Sequence, residues 1–178
     1  MNLNSFVFTL AYSLNWHPER CSTFASMVIS LIDQGNVQHH SLSRTLSSCM
    51  KSKLERIRRF FAGQVFDYEA FAKAMVLQVF KTIPQMHLIM DRTNWKFGKT
   101  DINYLVLAAR VGKITFPLFW CLLNHQGCSD ANERIQLMRM FQHTFGFDKI
   151  SSFTADREFI GQDWLDYLYQ HNIPFLFA

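Results

Sequence analysis

No two cysteines in this sequence stand at CxxC spacing. The four present, Cys21, Cys49, Cys121 and Cys128, are scattered, the pattern of reduced thiols in a cytoplasmic protein and not of a disulfide scaffold. The seven histidines are equally dispersed. His39 and His40 are adjacent but have no partners at zinc-like spacing, so a metal site built on His or Cys is not expected. No apolar run approaches the roughly 20 residues of a membrane span. "FVFTLAYSL" near the start is short and lacks a basic flank, which argues against a signal peptide. Internal repeats, low-complexity tracts and flexible linkers are also missing.

What remains is enough for a core. The chain has 178 residues, 49% of them hydrophobic, and 18 are phenylalanine. That suits one domain, or one with a smaller companion, around a bulky aromatic interior. Charge is uneven. Residues 1–86 carry nine Lys and Arg against five Asp and Glu, whereas residues 87–178 carry nine of each. The whole excess of +4 therefore sits in the first half, which suggests an anionic partner such as nucleic acid, or simple solubility.

The first half reads as helices. "STFASMVISLIDQGN" opens on a capping Ser22 and closes at Gly35. "HSLSRTLSSC" is a short segment. "KSKLERIRRFFAG" sets Leu54, Ile57 and Phe61 on one stripe, with Gly63 past its end. In "DYEAFAKAMVLQVFKTIP", Tyr68, Phe71, Ala72, Met75, Val76, Val79 and Phe80 keep helical spacing between a capping Asp67 and Pro84. Near residue 86 the character changes, so domains of 1–85 and 86–178 are expected. "QMHLIMD" predicts a strand, "INYLVLAARVG" and "KITFPLFWCLLN" a hairpin. "SDANERIQLMRMFQHTFG" predicts a helix boxed by Asp130 and Glu133, with Ile135, Met138, Phe141 and Phe145 inward. "ISSFTAD", "GQDWLDYLYQHN" and "IPFLFA" complete a strand, helix and strand, whose succession implies parallel pairing. Trp95, Trp120 and Trp164 are expected in the core.

Two aspartates stand out. Asp91 closes the apolar run in "LIMDRTNWKFG", and Asp156 closes that in "SSFTADREFIG". In α/β sheets functional groups gather at the carboxyl ends of strands. If the two strands are parallel neighbours, both carboxylates face one spot. Such a pair suits Mg²⁺, a hard cation with oxygen ligands, and two ions about 3.5–4 Å apart can clamp the oxygens of a phosphodiester. The alternative is that each Asp only starts a turn. Arg92, Thr93, Asn94 and Lys96 beside Asp91, and Arg157 beside Asp156, could orient those carboxylates or touch a phosphate; ordinary turn chemistry would use the same residues. Lys51, Lys53, Arg56, Arg58 and Arg59 form a basic face that fits phosphate contact, or a solvated helix.

The words "MDRTNWKFGKTDINYLVLA", "FPLFWCLLNHQGCSDANERIQLM" and "ADREFIGQDWLDYLYQHNIPFLF" resemble the IS4-type family of bacterial DDE transposases. The resemblance runs from about residue 20 to the end and is strongest over 87–177. It implies an α/β chain: a helical, DNA-binding N-terminal region, then an RNase H-like mixed sheet with flanking helices. It also implies that Asp91 and Asp156 are catalytic acids holding Mg²⁺, with Mn²⁺ a substitute. The partners would be the element's terminal repeats and target DNA, bound by a homodimer in a synaptic complex, in a bacterial cytoplasm, with no membrane. The family's third acid is a Glu within Y-x2-R-x3-E-x6-K, and nothing here fits that signature. Glu158 belongs to the second motif and is not expected to replace it. The chain thus resembles a transposase incomplete at its C-terminus, through a frameshift, a stop codon or an assembly edge. A non-catalytic remnant that binds DNA or partners a full-length copy is the alternative, and a stand-alone nuclease is disfavoured.

Overall fold

The computed structural model describes residues 13–62 and 66–177, with Ser5 and Thr9. Most of "FVFTLAYSL", and Gly63, lie outside the described residues. Contacts divide the chain into two units, residues 1–67 and 68–178.

In the first unit, helix α1 spans Pro18–Gln34, α2 His39–Leu42 and α3 Met50–Phe61. Helix α1 starts before Ser22. Pro18 fits the first turn, where its missing N–H has no partner to lose, and the His17 ring accepts from Glu19 N at 3.3 Å. Gly35, at φ 59°, ends the helix as expected and donates to Leu31 O. Met27, Leu42, Leu46 and Ile57 form a small core, with Phe24 and Phe60 against it. Phe61, expected inward, is 55% exposed and stacks on His39. The two phenylalanines follow Ile57 by three and four positions, and only Phe60 is on the side that α1 covers.

The second unit begins with α4, Tyr68–Phe80. The unit boundary therefore falls before this helix, earlier than the change in sequence character near 85. The reason is packing: Ala72 and Val76 are buried in the sheet's core. The side chain of Val79 lies outside the described ones. There follow β1 (Met86–Phe97), β2 (Thr100–Val111), β3 (Ile114–Leu123), α5 (Ala131–Phe145), β4 (Ile150–Ala155), α6 (Gln162–Gln170) and β5 (Phe175–Phe177). The sheet order is β3-β2-β1-β4-β5. The first three strands are antiparallel neighbours, while β4 runs parallel to β1 and β5 parallel to β4. This open mixed sheet with flanking helices agrees with the RNase H-like expectation, the Asp91 strand central and beside the Asp156 strand. Gly98 and Gly112, at φ 62° and 60°, make the two tight hairpin turns, a conformation open to glycine at no steric cost.

One expectation about β1 fails. The strand does not stop at Asp91 but pairs with β2 as far as Phe97↔Thr100. Arg92, Thr93 and Asn94 are strand, not turn. Their polarity matches their setting on the hairpin arm, where Thr93 and Asn94 are exposed.

The core is built on one face. Met86, Leu88 and Met90 of β1, Leu105, Leu107 and Ala109 of β2, and Phe153 of β4 meet Leu137, Met138 and Phe141 of α5 and Trp164 and Leu168 of α6. Helix α5 has the expected box: Asp130 Oδ1 accepts from Glu133 N, and Glu133 Oε2 from Asp130 N, both at 2.8 Å. Ile135 is only partly buried; Leu137 and Arg134 take the inward positions. Trp164 is in the core, Trp120 is half-buried, and Trp95 is 48% exposed, stacked on Tyr104 near the hairpin tip. Among the described residues no helix is long and apolar enough to cross a membrane.

Phe153 is fully buried and meets Trp164 edge-on at 5.6 Å. Phe153→Ala is expected to cost about 3–5 kcal/mol of unfolding free energy, read as a lower urea midpoint with little change in slope.

Candidate active site

The pleat decides where the two aspartates point. Side chains alternate between sheet faces along a strand. On β1, Met86, Leu88 and Met90 face the core, so His87, Ile89 and Asp91 face the other way. On β4, Phe153 and Ala155 face the core, so Ser152 and Thr154 face away. The parallel ladder pairs His87↔Ser152, Ile89↔Thr154 and Met90↔Ala155. Asp91 and Asp156 are one step further along each strand. Asp156 keeps an extended backbone, φ −69° and ψ 160°, so the alternation continues through it. Both carboxylates therefore belong to the coreless face, on neighbouring strands that run about 4.8 Å apart. Both residues are exposed.

A polar rung sets this register. The His87 ring has Nδ1 2.5 Å from Ser152 Oγ and Nε2 3.1 Å from Thr154 Oγ1. A slip of one residue would reverse every side chain of β4 and part the rung.

Beyond the ladder, side chains hold the segment. After Ala155 the chain turns through a short 3-10 segment, Arg157–Phe159. Arg92 Nε donates to Glu158 Oε1 at 3.1 Å and Nη2 to Oε2 at 3.3 Å. This two-pronged pair fits guanidinium geometry. The Arg92 side chain is 18% exposed and also reaches Asn103 Oδ1 at 3.5 Å. Its hydrogen bond and charge hold the Glu158 carboxyl below the usual range. Cys128 Sγ lies 3.8 Å from the same carboxylate. Asp91 Oδ1 accepts from Arg92 N at 2.7 Å, which fixes one rotation of its carboxylate.

Arg134 anchors the turn from the core side. It is only 6% exposed. Its guanidinium donates to Phe159 O at 2.8 Å and to Ser129 Oγ at 3.0 Å, and also bonds Ser129 O. It also lies 5.2 Å from the centre of the Phe159 ring. Burial pulls its pKa down. Asn103, also buried, donates to the carbonyls of His125 and Gly127. Sequence reasoning missed both residues. Their signal was position: Arg134 shares the inward stripe with Leu137, Met138 and Phe141, and Asn103 the inward stripe with Leu105 and Leu107. Arg92, Asn94, Trp95, Lys96, Asp101, Asn103, Gln126 and Gly127 line a polar hollow of about 420 Å³ beside the Arg92–Glu158 ion pair.

The remaining candidates divide. Thr93 and Asn94 are exposed on the β1 arm, opposite Tyr104 and Asn103. Lys96 is 4.0 Å from Asp101. The Arg157 side chain is exposed and has no polar partner among the described residues. In the first unit, Arg56 Nε donates to Thr23 Oγ1 at 2.7 Å and Nη2 meets Glu19 at 3.2 Å, so it ties α3 to α1. Arg58 and Arg59 both lean on Glu55, at 3.9 and 3.5 Å. Lys51 and Lys53 have no ion pair among the described residues. The basic face is thus partly neutralised by its own carboxylates.

The donor set fits Mg²⁺ or Mn²⁺ in kind. Two exposed carboxylates on one face supply hard oxygen ligands and leave room for the waters such ions keep. Among the described residues no group of three or more His, Cys, Asp and Glu is placed to hold an ion.

No protein-family model and no curated protein matches the sequence. Among solved structures, the chain is similar to the protein in the crystal structure of the Mos1 strand transfer complex, at 12% identity and a TM-score of 0.40. The likeness covers 86% of this chain and 57% of that one, so the chain spans little more than half of that protein's length.

Two outcomes follow from the geometry. The His125 imidazolium is favoured by the Gln126 carbonyl and by Glu133, with Nε2 3.0 Å from Oε1, so its pKa is raised. An NMR titration should give a midpoint above about 6.5 that falls in Glu133→Gln. The contact's contribution to stability is complete below about pH 6.5 and fades as pH rises through the raised value. On the basic helix, if Lys51 and Lys53 contact DNA phosphates, Lys51→Ala with Lys53→Ala should flatten the salt dependence of binding by about one unit of slope per lost contact. Arg56→Ala should instead lower the melting temperature of the first unit. An unchanged salt slope would assign the lysines to a solvated face.

Proposed function

We propose that this chain belongs to the IS4-type DDE transposases and serves the cutting and joining of DNA at the ends of an insertion sequence. The observation that carries the reading is the β1–β4 register, which ends at Met90↔Ala155 and so leaves Asp91 and Asp156 one step further along neighbouring strands, on one face. The motif words around both residues, the strand order and the basic first half support it.

On this reading Asp91 and Asp156 hold Mg²⁺, for which Mn²⁺ can substitute. Bound there, the metal would polarise a phosphoryl oxygen and lower the pKa of a water. The protein's own work is positioning. The rigid central strand holds Asp91, and the anchored turn holds Asp156. Arg157 is exposed beside Asp156, where a phosphate backbone would pass, whereas Asn94 and Lys96, in step with Met90, point to the opposite face of β1. The first unit adds Lys51, Lys53, Arg58 and Arg59 as contacts that position DNA without reading its sequence. Terminal repeats, target DNA and a second copy in a synaptic complex are the partners this reading implies.

One observation favours a second reading for these 178 residues taken alone. The pair has no third acid beside it among the described residues, and two carboxylates hold two ions poorly. Because a misplacement of about 1 Å can cost 100-fold in rate, the chain by itself would bind DNA, or pair with a longer copy, without cutting.

The test is to incubate the purified chain with supercoiled plasmid and Mg²⁺ or Mn²⁺. The plasmid should be bound at low salt and remain unnicked. Nicking that disappears in Asp91→Ala and in Asp156→Ala would assign the complete reaction to this chain and end the second reading. Absence of any binding at low salt would end both.

A further inference from the structure

The ladder between β1 and β4 ends at the Met90↔Ala155 pair, and the turn that begins at Arg157 lies beyond it. What bridges the two segments there is a side-chain pair. Arg92 follows Asp91, Glu158 lies two residues after Asp156, and their bidentate bond crosses the gap at 3.1 and 3.3 Å. We propose that Arg92 and Glu158 act together as a clasp that sets the separation and aim of the Asp91 and Asp156 carboxylates, and that Glu158 is a positioning residue and not a metal ligand. The inference rests on the metal-binding reading of the two aspartates.

Three observations carry it. Both Glu158 oxygens accept from Arg92, and this bidentate bond turns the carboxylate toward the guanidinium. Arg92 is held on its far side by Asn103, whose amide is fixed in turn by two carbonyls, so the clasp is mounted on β2 as well as β1. The next residue of the turn, Phe159, is buried and its carbonyl is caught by Arg134 at 2.8 Å. The turn is thus pinned at consecutive residues by two arginines from different elements. Asp156, two residues before Glu158 and exposed, is tied to this pinned turn through its carbonyl, which accepts from Phe159 N at 3.0 Å.

The test is Mn²⁺ affinity, measured calorimetrically with the metal alone at a temperature where every variant is folded by circular dichroism. The chains are wild type, Asp91→Ala, Arg92→Gln, Glu158→Gln and the double variant Arg92→Gln/Glu158→Gln. Loss of an interaction that orients a metal ligand typically weakens binding by about 10–100-fold. Each single Gln variant should fall in that range, and the double should be no weaker than either, because one contact is lost in all three. A small shift in melting temperature with unchanged Mn²⁺ affinity would show the pair to be structural only. Losses that multiply in the double would show two independent roles. Either result overturns the clasp while leaving the metal site in place. Wild-type binding that survives Asp91→Ala would overturn the metal site and the clasp with it.

Discussion

The second unit depends on the parallel pairing of β1 with β4. These strands are far apart in sequence, and their junction is where an antiparallel three-stranded meander meets a parallel strand-helix-strand unit. The five paired positions, from Met86 to Met90, join two pieces that would otherwise each expose an edge. Register matters more than strength. His87 between Ser152 and Thr154 holds the polar side, while Leu88 and Phe153 hold the apolar side. With that register set, Asp91 and Asp156 have no choice of face.

The anchoring beyond the ladder is unusual for being cationic. Two arginines, Arg92 and Arg134, serve adjacent residues of one turn by different means. Arg92 meets a carboxylate at the surface edge, where a two-pronged ion pair gives geometry as well as energy. Arg134 is buried without a carboxylate and spends its donors on carbonyl and hydroxyl oxygens. Burial of a charge is costly unless its hydrogen bonds are met, and here they are. The cost is tolerated because it fixes the chain where the backbone ladder no longer can.

The first unit shows how little a charge run says alone. Five cations lie within nine residues, yet Glu19 and Glu55 engage three of them. Exposed pairs of this kind contribute only about 0–1 kcal/mol, so they order the side chains more than they stabilise the helix. What they change is the charge a partner meets.

Much of this was legible in the residues. Hydrophobic period separated the helices from the strands, Gly35 and the Asp130–Glu133 box marked helix ends, and Gly112 marked a hairpin, because each depends on neighbours within a few positions. The succession of elements near the end implied parallel strands before any pairing was seen. Other features depended on residues distant in sequence. Whether Arg92 to Asn94 formed turn or strand was decided by β2, which pairs with them over the hairpin. Phe61 and Trp95 were left exposed because the packing partners lie on other sides. Arg56 was withdrawn from the surface by Thr23 and Glu19, and Glu158 was given to Arg92 by the fold of the turn. A sequence states what a residue is and what lies beside it along the chain. Only tertiary contact decides which carboxylate a given arginine meets, because that choice is made between segments dozens of residues apart.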